Sequence, residues 1–165
     1  MKTKLFLLFI LLVISSFTKS QTTYIPDPNF EQALINLGYD NVLDHYVLTA
    51  NIKNVTSLYM GNKNIGSLIG IEAFNALETL HCFENQLTSL NVSNNTALKH
   101  LQCGGNQLTS LNVSNCSALV FLSCNTNKLT SLDLSNCTML QDFFCNDNQL
   151  INLDLSNNIL LKRFY

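Results

Sequence analysis

A right-handed solenoid of short, mostly extended coils, α/β in class by convention and closed at its N-terminal end by a helical cap, is predicted by three observations. Leu77, Leu98, Leu119, Leu140 and Leu161 fall twenty-one residues apart. The four complete units, LETLHCFENQLTSLNVSNNTA, LKHLQCGGNQLTSLNVSNCSA, LVFLSCNTNKLTSLDLSNCTM and LQDFFCNDNQLINLDLSNNIL, keep one register and share L-x-x-(L/F)-x-C-x-x-N-x-L. A unit this short cannot bury its apolar face alone, so neighbours must stack into one core and their repeated face becomes a surface.

Residues 1–20 read as a secretory signal peptide. Lys2 and Lys4 precede an apolar run from Leu5 to Ile14, and Thr18-Lys19-Ser20 offers small residues at both cleavage-recognition positions, so cleavage is expected before Gln21. The run is too short to span a bilayer, where about 20 residues are needed, so the mature chain has no expected transmembrane segment. Removing Lys2, Lys4 and Lys19 leaves 6 basic against 11 acidic residues, a net charge of −5. That balance argues against a nucleic-acid partner, because phosphate neutralisation needs clustered Lys and Arg.

Residues 21–54 form the expected helical cap. Asp27 suits a helix N-cap with Pro28 at the first helical position; Phe30, Ala33, Leu34 and Leu37 share one face, and Gly38 stops the helix. An open solenoid end exposes core side chains and a strand edge, which such a lid would cover. Residues 55–165 hold the repeats: one adapted coil, four regular coils and the start of a further one ending at Tyr165. The adapted coil starts at Val55, runs twenty-two residues and places Lys63 where the others have Asn. In the regular coils Leu80, Leu101, Leu122 and Phe143 make one inward column, and Leu87, Leu108, Leu129 and Leu150 another. A second L-x-x-L-x-(V/L) stretch, from Leu87 to Val92 and its equivalents, predicts a short extended piece on the opposite wall and leaves little room for helices.

These units resemble leucine-rich repeats, and their arrangement is similar to internalin-like secreted bacterial proteins; the segment Ile69-Gly70-Ile71-Glu72-Ala73-Phe74-Asn75-Ala76-Leu77 adds to the likeness. The PDPNFEQALINLGYD segment together with the C-x-x-N-x-L-T-S-L units resembles surface proteins of gliding bacteria. The likeness covers about residues 24 to 165. It implies a secreted or cell-surface protein that binds another protein, often on the concave strand face. Several such relatives carry a C-terminal sorting domain, which this sequence does not show.

The columns of polar and sulfur side chains read as structural. Cys82, Cys103, Cys124 and Cys145 would lie along a line roughly 14 Å long at the usual strand spacing of about 4.8 Å, which cannot make a tetrahedral zinc site and gives poor disulfide torsions. They are expected to be small buried apolar residues. Cys116 and Cys137 share a second column with Asn95 and Asn158, where a disulfide stays open as an alternative. Asn85, Asn106, Asn127 and Asn148 should bridge backbone groups left unpaired where each coil turns. Asn-x-Ser triplets such as Asn91-Val92-Ser93 follow from the repeat and are not read as glycosylation sites.

Columns that vary from coil to coil are not dictated by packing. Counting from each opening residue, the third position runs Ser57, Thr79, His100, Phe121, Asp142, Arg163; the fifth runs Tyr59, His81, Gln102, Ser123, Phe144, Tyr165; the seventh runs Gly61, Phe83, Gly104, Asn125, Asn146. All should face solvent on the strand wall. Tyr59, His81, Phe83, His100, Phe121 and Phe144 are the predicted ligand-binding residues, since clustered exposed rings mark contact surfaces. His81 and His100 with Glu78 or Glu84 invite a metal reading, but two imidazoles on adjacent strands are more often surface residues. His81 and Cys82 point to opposite faces and make no dyad. No nucleophile elbow, phosphate loop, H-E-x-x-H or calcium loop is present, so neither an enzyme nor a cofactor is expected. The expected function is an adaptor-like module for a protein ligand; the alternatives are a carbohydrate-binding repeat domain, or a structural or targeting segment of a larger protein.

Overall fold

The computed structural model describes residues 21–165, so the signal-peptide expectation lies outside the described residues. The chain enters through strand β1 (Thr22–Tyr24), helix α1 (Pro28–Asn36), strand β2 (Tyr46–Leu48) and one helical turn, α2 (Thr49–Ile52). Asp27 starts α1 as anticipated: its Oδ1 accepts the N–H groups of Asn29 and Phe30 at 2.9 and 3.0 Å, and Pro28 sits where no N–H is needed. Its other oxygen accepts from Gly66 and Ser67 at 2.7 and 2.9 Å, so one carboxylate ties the helix to the first coil. Ile25, Phe30, Leu34, Val47 and Ile52 are fully buried in the same core as the repeats.

The expected buried face of α1 needs one correction. Phe30, Ala33 and Leu34 are buried, but Leu37 is 47% exposed, because the helix ends at Asn36 and Leu37 is already its C-cap, ahead of Gly38 at φ +77°. Glu31 takes a buried place on the helix instead. Its Oε1 accepts the N–H groups of Asp44 and His45, which fastens the loop that brings β2 back antiparallel to β1. His45 turns that corner at φ +70°.

The repeats then coil. Six strands on one wall, Ser57–Tyr59 (β3), Thr79–His81 (β4), His100–Gln102 (β6), Phe121–Ser123 (β8), Asp142–Phe144 (β9) and Arg163–Phe164 (β10), pair parallel with no slip of register. Between them, Ser89–Asn91 (β5) and Ser110–Asn112 (β7) pair on the opposite wall. The middle residue of each three-residue strand points inward, so Leu58, Leu80, Leu101, Leu122 and Phe143 are fully buried, as are Leu77, Leu98, Leu119 and Leu140 one coil corner earlier. Burial thins in the last coil, where Leu150, Leu153, Leu155 and Leu161 are only partly covered.

The opposite wall departs from strict repetition, with strands in the first two regular coils only. The equivalent of Asn91 and Asn112 is Asp133 in the third coil and Asp154 in the fourth. Like charges facing each other across a ladder weaken it, and an opening of about 180 Å³ lies between these two coils, lined by Leu132, Asp133, Asp154 and Asn157.

Candidate functional site

The strand wall is held rigid from behind by the asparagine column. Asn106 is the pattern: its Oδ1 accepts the Leu87 N–H at 3.0 Å, and its Nδ2 lies within 3.0–3.3 Å of the carbonyls of Cys82, Cys103 and Gly104. Asn127 and Asn148 repeat these bonds one and two coils on, and Asn85 uses its oxygen on both Lys63 and Ile65. The sequence placed these amides at the turns, and there they satisfy backbone groups that the coil corner would otherwise strand.

Beside them the six thiols are buried and unpaired among the described residues. Burial pushes the Cys82 and Cys116 thiols up to about 12 and Cys137 to about 11; Cys103, Cys124 and Cys145 are raised as well. Such thiols stay protonated and unreactive near neutrality. In the second column Cys116 and Cys137 point their Sγ atoms at the carbonyls of Val92 and Val113, while Asn95 and Asn158 donate to equivalent carbonyls. The Oδ1 atoms of Asn95 and Asn158 are buried without a partner.

On the outward side the rings gather into two groups. Tyr59 meets His81 edge-on at 5.0 Å, and His81 lies 6.4 Å from Phe83. Further along, His100 leans on Phe121 at 6.4 Å, Phe121 on Phe144 at 5.6 Å, and Phe144 stacks on Tyr165 at 5.4 Å. All six sequence-predicted residues therefore stand on this wall, and Tyr165 joins them. Tyr59, Phe83 and His100 are exposed, whereas His81, Phe121 and Phe144 are half-buried, because rings in successive coils cover one another. Burial, and then the positive charge of His100, lower the pKa of His81 from the usual 6.5. Asp142 pairs with Arg163 across β9 and β10, and that bond holds its carboxyl below the ordinary aspartate value. No three His, Cys, Asp or Glu side chains among the described residues gather where they could hold a metal. No described helix is long and apolar enough to cross a membrane.

The seventh column corrects the expectation that every such position faces solvent, since Gly104 is buried. A groove of about 410 Å³ opens over Gly104 and Gly105, with Phe83 and Glu84 on one side and Asn125 and Thr126 on the other. The eighth position turns left-handed in every coil: Asn62, Glu84, Gly105, Thr126 and Asp147 have φ between 51° and 66°. At Thr126 a β-branched residue adopts it, a strained conformation at the groove's edge. The signal for this groove was present in the sequence, as a Gly-Gly pair where the other regular coils carry two larger side chains.

No family model matches the sequence, and none of the curated proteins does. Among solved structures, the functional domain of InlJ from Listeria monocytogenes, described as including a cysteine ladder, is similar at 34% identity and a TM-score of 0.76, over 86% of this chain and 32% of that one. The internalin InlF of the same species is 26% identical with a TM-score of 0.74, over 86% of this chain and 43% of that one. A leucine-rich-repeat protein of Leptospira interrogans, at 23% identity and a TM-score of 0.64, covers 70% of this chain and 33% of its own and shares the fold alone. The chain thus spans less than half the length of these two internalins, and its described residues form an internalin-like leucine-rich-repeat solenoid.

Proposed function

We propose that this chain is an exported protein-recognition module, secreted or held at the cell surface, that grips a protein partner on its strand wall as an adaptor does. One observation carries the reading: Phe121, Phe144 and Tyr165 form a continuous run of rings on an outward face whose backbone is fixed by the asparagine column. Rings already ordered against each other lose little further freedom on binding, and exposed aromatic clusters supply interface anchors. The internalin-like fold supports an interaction scaffold. In this reading residues 21–54 act as a lid on the first coil and residues 1–20 direct export.

The experiment compares chemical cross-linking of the native protein, Phe121→Ala and Phe144→Ala to partners in its natural surroundings. A defined set of cross-linked proteins seen with the native chain and lost with both variants is expected. An identical set from all three overturns the reading. Intact mass of the exported protein should correspond to a chain beginning at Gln21; retention of Met1 in exported protein overturns the export claim.

A further inference from the structure

We propose that the groove over Gly104 and Gly105 is a saccharide subsite that takes one neutral pyranose unit. The site goes beyond the recognition of a protein partner and uses a different part of the wall.

The groove exists because two neighbouring columns lose their side chains in the same coil. The other regular coils carry Phe83-Glu84, Asn125-Thr126 and Asn146-Asp147 at these positions, and this one carries two glycines. The resulting space of about 410 Å³ falls within the range of about 300–1,000 Å³ usual for small-molecule sites. Asn125 leans over Gly104, its Oδ1 lying 2.5 Å from where a Cβ on that glycine would stand, and so lays an amide on the groove's floor, while the opposite flank is held back. The Phe83 ring lies over Gly61, so close that a Cβ there would sit 2.7 Å from Cζ. Asn62 donates to Glu84 Oε2 at 2.8 Å and draws that carboxylate toward the first coil.

The lining chemistry selects the ligand. Gln102 and Asn125 offer amide donors and acceptors together, and the Ser123 hydroxyl lies 2.7 Å from Asn125 Oδ1. A basic side chain would use the acceptors and leave the amide donors unpaired, and an apolar one would leave both unpaired. Glu84, the one charged group among the described lining residues, repels an acidic sugar. A neutral pyranose presents hydroxyls that both donate and accept, and a C–H face suited to the Phe83 ring.

The test is an NMR titration of the isotope-labelled protein with the methyl glycosides of glucose, galactose, mannose and N-acetylglucosamine, beside glucuronate and an acetyl-Gly-Arg-Gly-amide peptide. At least one neutral glycoside should give saturable shifts at the amides of Gly104, Gly105 and Asn125. Phe83→Ala should weaken that binding about tenfold, the equivalent of one lost ring contact. The double variant G104N/G105N should abolish it, because a Cβ at position 104 would stand 2.5 Å from Asn125 Oδ1 and displace that lining amide while the second side chain fills the groove. Asn62 and Asp147 already adopt the backbone angle that the second substitution needs, and the amide spectrum reports whether the variant is folded.

No saturable shift from any neutral glycoside, a response to the arginine peptide or glucuronate alone, or binding that persists in folded G104N/G105N overturns the proposal. The two readings fail separately. Partner cross-linking should survive G104N/G105N, and glycoside shifts should survive Phe121→Ala.

Discussion

Phe144 lies flat on Tyr165, with ring centroids 5.4 Å apart and planes inclined by only 3°. The relation follows from the period: residues twenty-one apart share a column, and parallel in-register strands about 4.8 Å apart bring their side chains to stacking distance. A repeat therefore orders an outward ring as it orders a core leucine. Phe121, two strand positions earlier and one coil back, completes the run by leaning on Phe144.

This packing alters what substitution of an outward ring should do. Phe144→Ala removes a half-buried ring from two aromatic contacts, so a loss of about 1 kcal/mol is expected, the range of one or two such pairs. From the sequence alone Phe144 reads as surface, with a change within about 0.5 kcal/mol. Leu122→Ala and Phe143→Ala, fully buried on the inner side, should lose about 2–5 kcal/mol through lost burial and a cavity. Denaturant melts of the three variants check the ordering; a loss from Phe144→Ala as large as that from Phe143→Ala would show that the outward ring belongs to the core.

The two asparagine columns should respond in opposite ways. Asn106→Ala strands the Leu87 N–H and removes the amide shared by three carbonyls, so a loss of at least about 3 kcal/mol is expected from buried groups left unpaired. Asn95→Cys installs the residue that the next two coils use in that column. It gives up donation to Ile71 and Phe74 but also removes an oxygen buried without a partner. The opposing effects are each about 1 kcal/mol or somewhat more, so the variant should melt close to the native protein. Equal losses at the two positions would mean that the columns do the same work.

Whatever repeats was legible in the sequence: the inward leucines, the buried thiols, the asparagine amides and the outward ring columns each announce themselves in several copies. Features present once were not. The antiparallel pairing of Thr22–Tyr24 with Tyr46–Leu48 rests on Glu31, a charged residue whose burial depends on two loop N–H groups distant in sequence. Leu37 fits the helical period, yet the helix ends before reaching it. The groove over Gly104 is made of missing side chains, and its trace in the sequence is the single Gly104-Gly105 pair. The opposite wall loses its strands in the two coils where Asp replaces Asn, a change that keeps the pattern, since Asp133 and Asp154 accept a Ser N–H as Asn91 and Asn112 do.

His81 supplies a pH test of the strand wall. Its pKa lies below 6.5, chiefly because the ring is partly buried and secondly because His100 adds positive charge nearby. Tyr59 and Phe83, which flank it, add no charge. A lowered folded-state value means that the unfolded chain binds the proton more readily, so stability is complete above pH 6.5 and falls as the pH drops below it. Imidazole NMR should place His81 below 6.5, and His100→Ala should raise it part of the way back. Full recovery would make the neighbouring charge, not burial, the principal cause.

The thiol column predicts the opposite pH response. Burial raises Cys82 from 9.0 to about 12, and Cys103 and Cys124 move the same way. The folded state keeps protons that the unfolded chain releases, so the contribution is complete below pH 9.0 and is lost as the pH climbs from there toward about 12. Each such thiol should steepen the loss by about 1.4 kcal/mol per pH unit within that window. Denaturant melts between these limits should show the decline, and Cys103→Ala should make it shallower while leaving its own cavity penalty unchanged with pH. At neutral pH a thiol reagent should label none of the six until the protein is unfolded, and then all six. Prompt labelling of the folded protein, four reactive thiols after unfolding, or bound stoichiometric zinc would show in turn an accessible column, a Cys116–Cys137 disulfide, or a metal site in place of packing.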